Sequence, residues 1–306
     1  MVNADVIAVI GELSALAAAL CWTISPVLYK VALSDAKPIS ANISRSISTT
    51  IFLFACLGVS GRLWDLATLP TSSLLLAGLS GIIGLCLGDT MYMLSLKLIG
   101  VSRTVPISSI YPLFTMLFAA MFLGEGVTSF LLLGTVVIIL GIWLVSQERT
   151  GSSDVTRGAL YKGVFISLAA AVVWSVSIIF MNHALEFSQL TAVDAALVVN
   201  MARMLTTSLL FLALSPFIDR RFLFMKLKRR TWIILASAGI IALGLGWVLL
   251  AVSLSFIEAS RAVPISSVSP LFTTLIGAFL LKEKVTLRIF IGSVLIVLGT
   301  SALFVL

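Results

Sequence analysis

Arg103-Thr-Val-Pro-Ile-Ser-Ser-Ile-Tyr-Pro-Leu-Phe-Thr115 decides the fold, because the chain contains it twice. It returns 158 residues later as Arg261-Ala-Val-Pro-Ile-Ser-Ser-Val-Ser-Pro-Leu-Phe-Thr273. The copy runs on without a gap through Glu125 and Glu283, Val127-Thr128 and Val285-Thr286, Gly134 and Gly292, and Gly141 and Gly299. Roughly half of the paired positions are identical and most others are apolar exchanges, so an internal duplication sets the architecture before any single residue is read.

Outward from that block the likeness continues. Leu16-Ala-Ala-Ala-Leu-Cys-Trp22 is echoed by Leu168-Ala-Ala-Ala-Val-Val-Trp174, and Asn42-x-x-Arg45 by Asn200-x-x-Arg203. Gly88-Asp89 meets Gly246-Trp247. The tryptophan pair stands at a shorter offset than the rest, so the second half carries about six extra residues before its second apolar stretch. Residues 1–147 form one unit and 160–306 the other, joined by a polar link at 148–159.

Composition names the solvent of these units. The 306 residues are 60% hydrophobic, with mean hydropathy +1.17, and only 11% are charged; a soluble domain carries about 25%. The stretches 66–88, 104–124, 126–147, 163–185 and 231–257 hold no Asp, Glu, Lys or Arg. Each exceeds the ~18 residues that cross a hydrocarbon layer of about 30 Å. The expected fold is an all-α integral membrane protein with ten transmembrane helices, at 11–33, 38–60, 72–95, 102–123, 127–147, 160–184, 193–216, 231–254, 260–281 and 286–305. Five crossings per unit is odd, so the second unit enters the bilayer upside down, as two inverted five-helix repeats.

Charge sets the orientation. The odd-numbered loops hold sixteen Lys and Arg residues and the even-numbered loops only Arg62 and Arg261, with Arg45 and Arg203 inside spans. Six of the sixteen lie in one loop, 219–230. The positive-inside rule places the odd loops in the cytoplasm and both termini outside, in the cell membrane. The net charge of +7 is therefore a topology signal, and nucleic acid is not an expected partner. No basic segment precedes the first apolar run, so a cleaved signal peptide is not expected. Cys21, Cys56 and Cys86 lie within apolar runs and read as buried thiols, without a disulfide or metal role.

The doubled Pro-Leu-Phe-Thr block, followed by Glu-x-Val-Thr and a Gly-spaced apolar helix, resembles the EamA repeats of the drug/metabolite transporter superfamily. Arg45 and Arg203, in the second helix of each unit, match that pattern as well. The resemblance covers essentially the whole chain. It implies a ten-helix secondary transporter or exporter of small metabolites, from a superfamily that handles amino acids, nucleotide sugars, sugar phosphates and xenobiotics. In many members both termini are cytoplasmic, and the charge count here gives the opposite orientation.

Several residue sets bear chemistry. Pro106, Pro112, Pro264 and Pro270 fall inside spans 4 and 9, and a proline within a helix frees the carbonyl four residues back. In lipid such a carbonyl needs a neighbour or a wet cavity. Ser108, Ser109, Tyr111, Ser266, Ser267 and Ser269 surround those breaks as a polar patch that lines a substrate cavity, or else back-bond to their own helices. Arg45 and Arg203 either hold an anionic group of the cargo or, paired with Asn42 and Asn200 three residues earlier on the same helix face, lock helix ends to backbone carbonyls as part of the fold. Asp89, whose repeat mate is Trp247, has no partner within a turn of its own helix except Tyr92. It carries a coupling proton, binds an ammonium group, or pairs with Lys97, Lys30 or an intramembrane arginine. Trp22, Trp174, Trp247 and Tyr92 make an aromatic wall for a flat or cationic cargo, or anchor span ends. His183 beside Glu186 reads as a surface histidine, and Glu125 and Glu283 as part of the caps of spans 5 and 10. The glycines at 78, 81, 84, 88, 134 and 141 read as close helix-packing points.

With the duplication, the resemblance implies a secondary-active exporter of amino acids or related small solutes. It is expected to work by alternating access through a central cavity lined by spans 1, 3, 4, 6, 8 and 9. The expected partners are the small-molecule cargo, a coupling proton and the lipid bilayer, with the chain acting as a monomer or homodimer. No cofactor is expected. The alternatives are a membrane-embedded enzyme or a membrane sensor. An enzyme would gather several ionisable groups at one membrane face, and the intramembrane charges here are few.

Overall fold

The computed structural model describes residues 4–111, 113–114, 117–118, 129–147, 156–257, 265–266, 269–281 and 285–302. Among them there is no strand. Pro112, Pro264, Ser267, Glu125, Glu283 and the link residues 148–155 lie outside the described residues.

The first half runs through α1 (Ala4–Ala32), α2 (Pro38–Val59), α3 (Thr71–Ile99), α4 (Val101–Ser108) and α5 (Ser129–Gln147). The second runs through α6 (Arg157–Glu186) and α7 (Ala192–Ile218). Next comes α8, built from the contiguous segments Arg229–Gly239, Ile240–Gly246 and Trp247–Phe256, and then α9 (Ser269–Leu281) and α10 (Leu287–Ala302). Six of these, namely α1, α2, α3, α6, α7 and α8, are long and apolar enough to cross a membrane. Shorter apolar helices cover Val136–Val145 and Leu287–Ala302.

Local chemistry fixes the ends. Pro38 opens α2, where its missing N–H costs nothing. Gly61 closes α2 at φ 70°, and the Arg62 amide bonds back to the Leu57 carbonyl at 2.9 Å, a left-handed glycine cap. Gly100, at φ 83°, breaks α3 from α4. Thr156 caps α6 by accepting the Ala159 amide at 3.3 Å. Pro106 lies within α4, which ends at Ser108, and Pro270 is the second residue of α9.

The packing suits lipid. On α1 the small residues Ala15, Ala18 and Ala19 point inward, while Leu13, Leu20 and Ile24 face out. Small residues let helices approach where no hydrophobic effect drives them together. Several close glycine approaches occur twice, with the halves exchanged. A Cβ on Gly81 of α3 would stand 2.4 Å from the Arg203 carbonyl oxygen in α7, and one on Gly239 of α8 2.9 Å from the Arg45 carbonyl oxygen in α2. Gly88 abuts the Trp174 indole as Gly246 abuts that of Trp22. Gly141 meets the Gly292 backbone and Gly299 meets that of Gly134, so α5 and α10 run antiparallel along a shared glycine seam.

Both α3 and α8 contain a π-helical stretch, at Gly81–Gly88 and Ile240–Gly246. In α3 the Asp89 amide bonds five residues back, to the Gly84 carbonyl. Such a turn inserts one residue and re-aims the side chains beyond it; here those are Asp89 in one half and Trp247 in the other.

The connections gather at two ends. Lys97 Nζ reaches the Ala36 carbonyl at 3.3 Å, Lys228 lies 3.6 Å from Asp35, and Ser40 Oγ donates to Asp219 at 2.7 Å. These bonds collect loops 1, 3 and 7. Elsewhere Arg62 meets Asp194 at 2.8 Å, joining loops 2 and 6.

Candidate central cavity

A cavity of about 790 Å³, counting its open mouth, lies where α1, α3, α4, α6, α8 and the start of α9 converge, with Arg45 of α2 at its wall. Of the residues singled out in the sequence, Trp22, Arg45, Asp89, Tyr92, Ser108, Ser109, Tyr111, Trp174, Trp247, Ser266 and Ser269 line it. Arg203 does not; it is fully buried behind Trp247.

The polar centre is a relay across three helices. Asn42 of α2 is held by the Leu85 carbonyl at 2.9 Å and Thr90 Oγ1 at 2.8 Å. Its Oδ1 accepts from Arg45 Nε at 2.8 Å. Arg45 Nη2 then forms an ion pair with Asp89 Oδ2, and Asp89 Oδ1 accepts from Trp174 Nε1 at 2.8 Å. Asp89 therefore pairs with the intramembrane arginine. Lys30 and Lys97 bond elsewhere, to the carbonyls of Leu96 and Ala36. Both partners of the ion pair are almost fully buried, and removing one member of such a pair costs about 3–5 kcal/mol.

One member of each Asn-x-x-Arg pair holds a backbone carbonyl of a neighbouring helix. Asn42 and Asn200 do that work, reaching the Leu85 and Leu243 carbonyls at 2.9 and 2.8 Å. The guanidinium groups are left for the centre. Arg45 stacks 4.8 Å from the Tyr29 ring and Arg203 4.7 Å from the Trp247 ring. Arg203 Nη1 reaches Met181 Sδ at 3.0 Å and Asn200 Oδ1 at 3.4 Å. Among the described residues its Nε and Nη2 have no hydrogen-bond partner.

The aromatic wall divides into two groups. Trp22 and Trp247 meet edge-to-face with centroids 5.5 Å apart, and Trp174 packs on Tyr92 at 5.1 Å and Tyr111 at 6.4 Å. Trp22 Nε1 donates to the Ala242 carbonyl at 3.3 Å. The serines act in two ways. Ser108 Oγ bonds back to the Val105 carbonyl at 3.1 Å, whereas Ser175 of α6 closes on the Tyr111 carbonyl at 2.5 Å. His183 lies exposed beside Glu186 at 3.1 Å.

Sequence reasoning missed Ser25, Pro26, Val105, Ile178, Ala242 and Leu243 of the lining, and also Tyr29. Tyr29 is buried, lines the cavity, and donates to the Ala238 carbonyl at 3.0 Å. Its place four residues before the expected end of span 1 reads as an interfacial anchor. The signal that finds it is its spacing of seven residues from Trp22, which puts both on one helix face.

A bundle of apolar helices that turns large side chains outward and encloses a mostly apolar cavity, with a buried ion pair at its wall, is a multi-pass membrane protein. The chain belongs to the EamA-like transporter family, whose model matches residues 9–147 and again 161–305. That family falls within the drug/metabolite transporter superfamily. A protein of Archaeoglobus fulgidus described as an uncharacterized transporter is 27% identical over 291 residues, covering 94% of this chain and 95% of the relative. A solved crystal structure, 18% identical, superposes with a TM-score of 0.66 over 96% of each chain; that likeness concerns the fold alone.

Proposed function

We propose that the protein is a secondary-active exporter of small metabolites, amino acids or related solutes. It alternates access to the central cavity between two inverted five-helix units, 1–147 and 160–306. The observation that carries this reading is the relay from Arg45 through Asp89 to Trp174, which joins the two halves inside the cavity. A polar link at that place ties the closure of one half to the position of the other. The antiparallel packing of the repeat mates α5 and α10 supports inversion, because two equivalent helices that run oppositely are related by an axis across them, in the membrane plane. In this reading the chain sits in the cell membrane with both termini outside. Trp22, Trp174, Trp247, Tyr92 and the serines at 108, 109, 266, 267 and 269 contact the cargo.

Uptake of a labelled metabolite panel into inverted vesicles, with and without a proton gradient, tests this. Accumulation of at least one solute beyond that in vesicles lacking the protein, and stimulated by the gradient, is the expected result. Equal filling of both vesicle types across the panel rejects the reading.

A further inference from the structure

The two arginines share a position in the repeat but not their surroundings. Nε and Nη2 lie along one edge of the planar guanidinium, the edge that receives a carboxylate side-on. In Arg45 that edge is filled: Nε donates to Asn42 Oδ1 at 2.8 Å and Nη2 to Asp89 Oδ2. In Arg203 the same two nitrogens are buried and have no hydrogen-bond partner among the described residues. The difference traces to two positions. The mate of Asp89 is Trp247, and the place taken by Tyr29 under Arg45 is taken by Met181 beside Arg203, a thioether that accepts hydrogen bonds weakly.

Charge follows the same asymmetry. Asp89 is the carboxylate whose charge acts on Arg203, and it already pairs with Arg45. Among the described residues, two buried arginines therefore share one carboxylate, and the centre holds one positive charge more than it balances. Intramembrane charges are paired or face a wet pathway. Here the pathway is one side chain away. Trp247 lines the cavity and also stacks 4.7 Å from the Arg203 guanidinium.

We propose that the Nε/Nη2 edge of Arg203 binds a carboxylate group of the transported solute, which passes Trp247 to reach it. The cargo is then a solute with one free carboxylate, and Arg45 with Asp89 shows within the same chain how that edge is satisfied. This rests on the reading of the cavity as a transport site.

The full chain in detergent micelles is titrated with phenylacetate, phenylacetamide and phenethylamine, reading melting temperature and tryptophan fluorescence. Phenylacetate is expected to half-saturate at a concentration at least tenfold below either of the others. Trp247→Asp places a carboxylate where the first half has one. It is expected to fold with an unchanged or raised melting temperature and to lose the preference for phenylacetate. Arg203→Gln is expected to lose the preference too; if that variant does not fold, Trp247→Asp decides. Equal response to acid and amide in the unaltered protein, no response to phenylacetate, or a preference that survives in Trp247→Asp overturns the proposal. Transport by the same preparation in proteoliposomes is read separately. Solute movement without carboxylate preference rejects the site and leaves the transport reading, whereas preference without movement of any solute rejects the transport reading.

Discussion

Thr50 and Ser208 occupy the same position in the two halves of the sequence, and their side-chain oxygens lie 2.8 Å apart. In the proposed arrangement of inverted halves, two equivalent residues meet where the axis relating the halves passes between them. A Thr50→Cys, Ser208→Cys pair, in a chain whose Cys21, Cys56 and Cys86 are replaced by alanine, is expected to form a disulfide under mild oxidant. Contact at this range is compatible with the Cβ separation of about 3.5–4.5 Å that a disulfide needs. With a protease site placed in 148–159, the cut halves should migrate together until reduced. Separate migration under oxidising conditions rejects this contact.

The Asp89–Arg45 pair separates structure from transport. Asp89→Asn leaves a buried guanidinium without its charge partner and is expected to destabilise by about 3–5 kcal/mol, read as a lower melting temperature. Adding Arg45→Gln removes the stranded charge, so the double variant should melt above either single variant. Transport should stay low in all three. Restored transport in the double variant would leave the pair a purely structural element.

Gly81 is a packing glycine of another kind from Gly58. An alanine Cβ at 81 would press to 2.4 Å on the Arg203 backbone oxygen, whereas at 58 the nearest atom is the Leu63 Cδ1 at 3.8 Å. A backbone atom cannot give way as a side-chain tip does. Gly81→Ala is expected to cost about 1–3 kcal/mol through overpacking, while Gly58→Ala is neutral or gains up to about 1 kcal/mol of helix propensity. Thermal melts of the two variants settle the contrast, and equal melting points count against the α3–α7 seam.

How far the sequence reaches can be judged from particular residues. The apolar stretch expected at 160–184 is α6, Arg157–Glu186, and the stretch expected at 72–95 is α3, Thr71–Ile99. Long charge-free runs and the duplication made these visible. The doubled block itself, so prominent in the sequence, lies partly outside the described residues. An intramembrane arginine was one of the partners the sequence offered Asp89, but which of its candidates it takes was not legible. Arg45 stands 44 residues away on another helix, and an identical arginine in the second half has no carboxylate mate. The π-helical stretches left no trace either: Gly81–Gly88 is apolar on every side, so no polar residue marks the phase that the extra residue shifts.

Orientation is open to direct labelling. The bonds Lys97–Ala36, Lys228–Asp35 and Ser40–Asp219 put loops 1, 3 and 7 together, and the Arg62–Asp194 pair puts loops 2 and 6 together. In the same cysteine-free background, Thr68→Cys should react with an impermeant maleimide in intact cells, and Lys226→Cys only after lysis. The reverse pattern inverts the proposed orientation. Reaction of both in intact cells contradicts their placement on opposite faces.

Trp174 and Trp22 are repeat mates with unequal hydrogen bonds. Trp174 Nε1 donates to the Asp89 carboxylate at 2.8 Å, and Trp22 Nε1 to the Ala242 carbonyl at 3.3 Å. A hydrogen bond to a charged group contributes about 1.5–3 kcal/mol, and one between neutral groups about 0.5–1.5 kcal/mol. Phenylalanine keeps an aromatic ring at either place and removes only the donor. Trp174→Phe also releases one oxygen of a carboxylate that Arg45 holds by the other, so the relay between the halves loosens where it crosses the cavity. Since 1.4 kcal/mol is a factor of about ten, Trp174→Phe should cut initial transport rates in proteoliposomes by roughly tenfold or more. Trp22→Phe should stay within roughly tenfold of the unaltered protein and show the smaller loss. Equal losses in the two variants would mean that the rings alone matter and that the indole bond to Asp89 carries no part of the coupling between the halves.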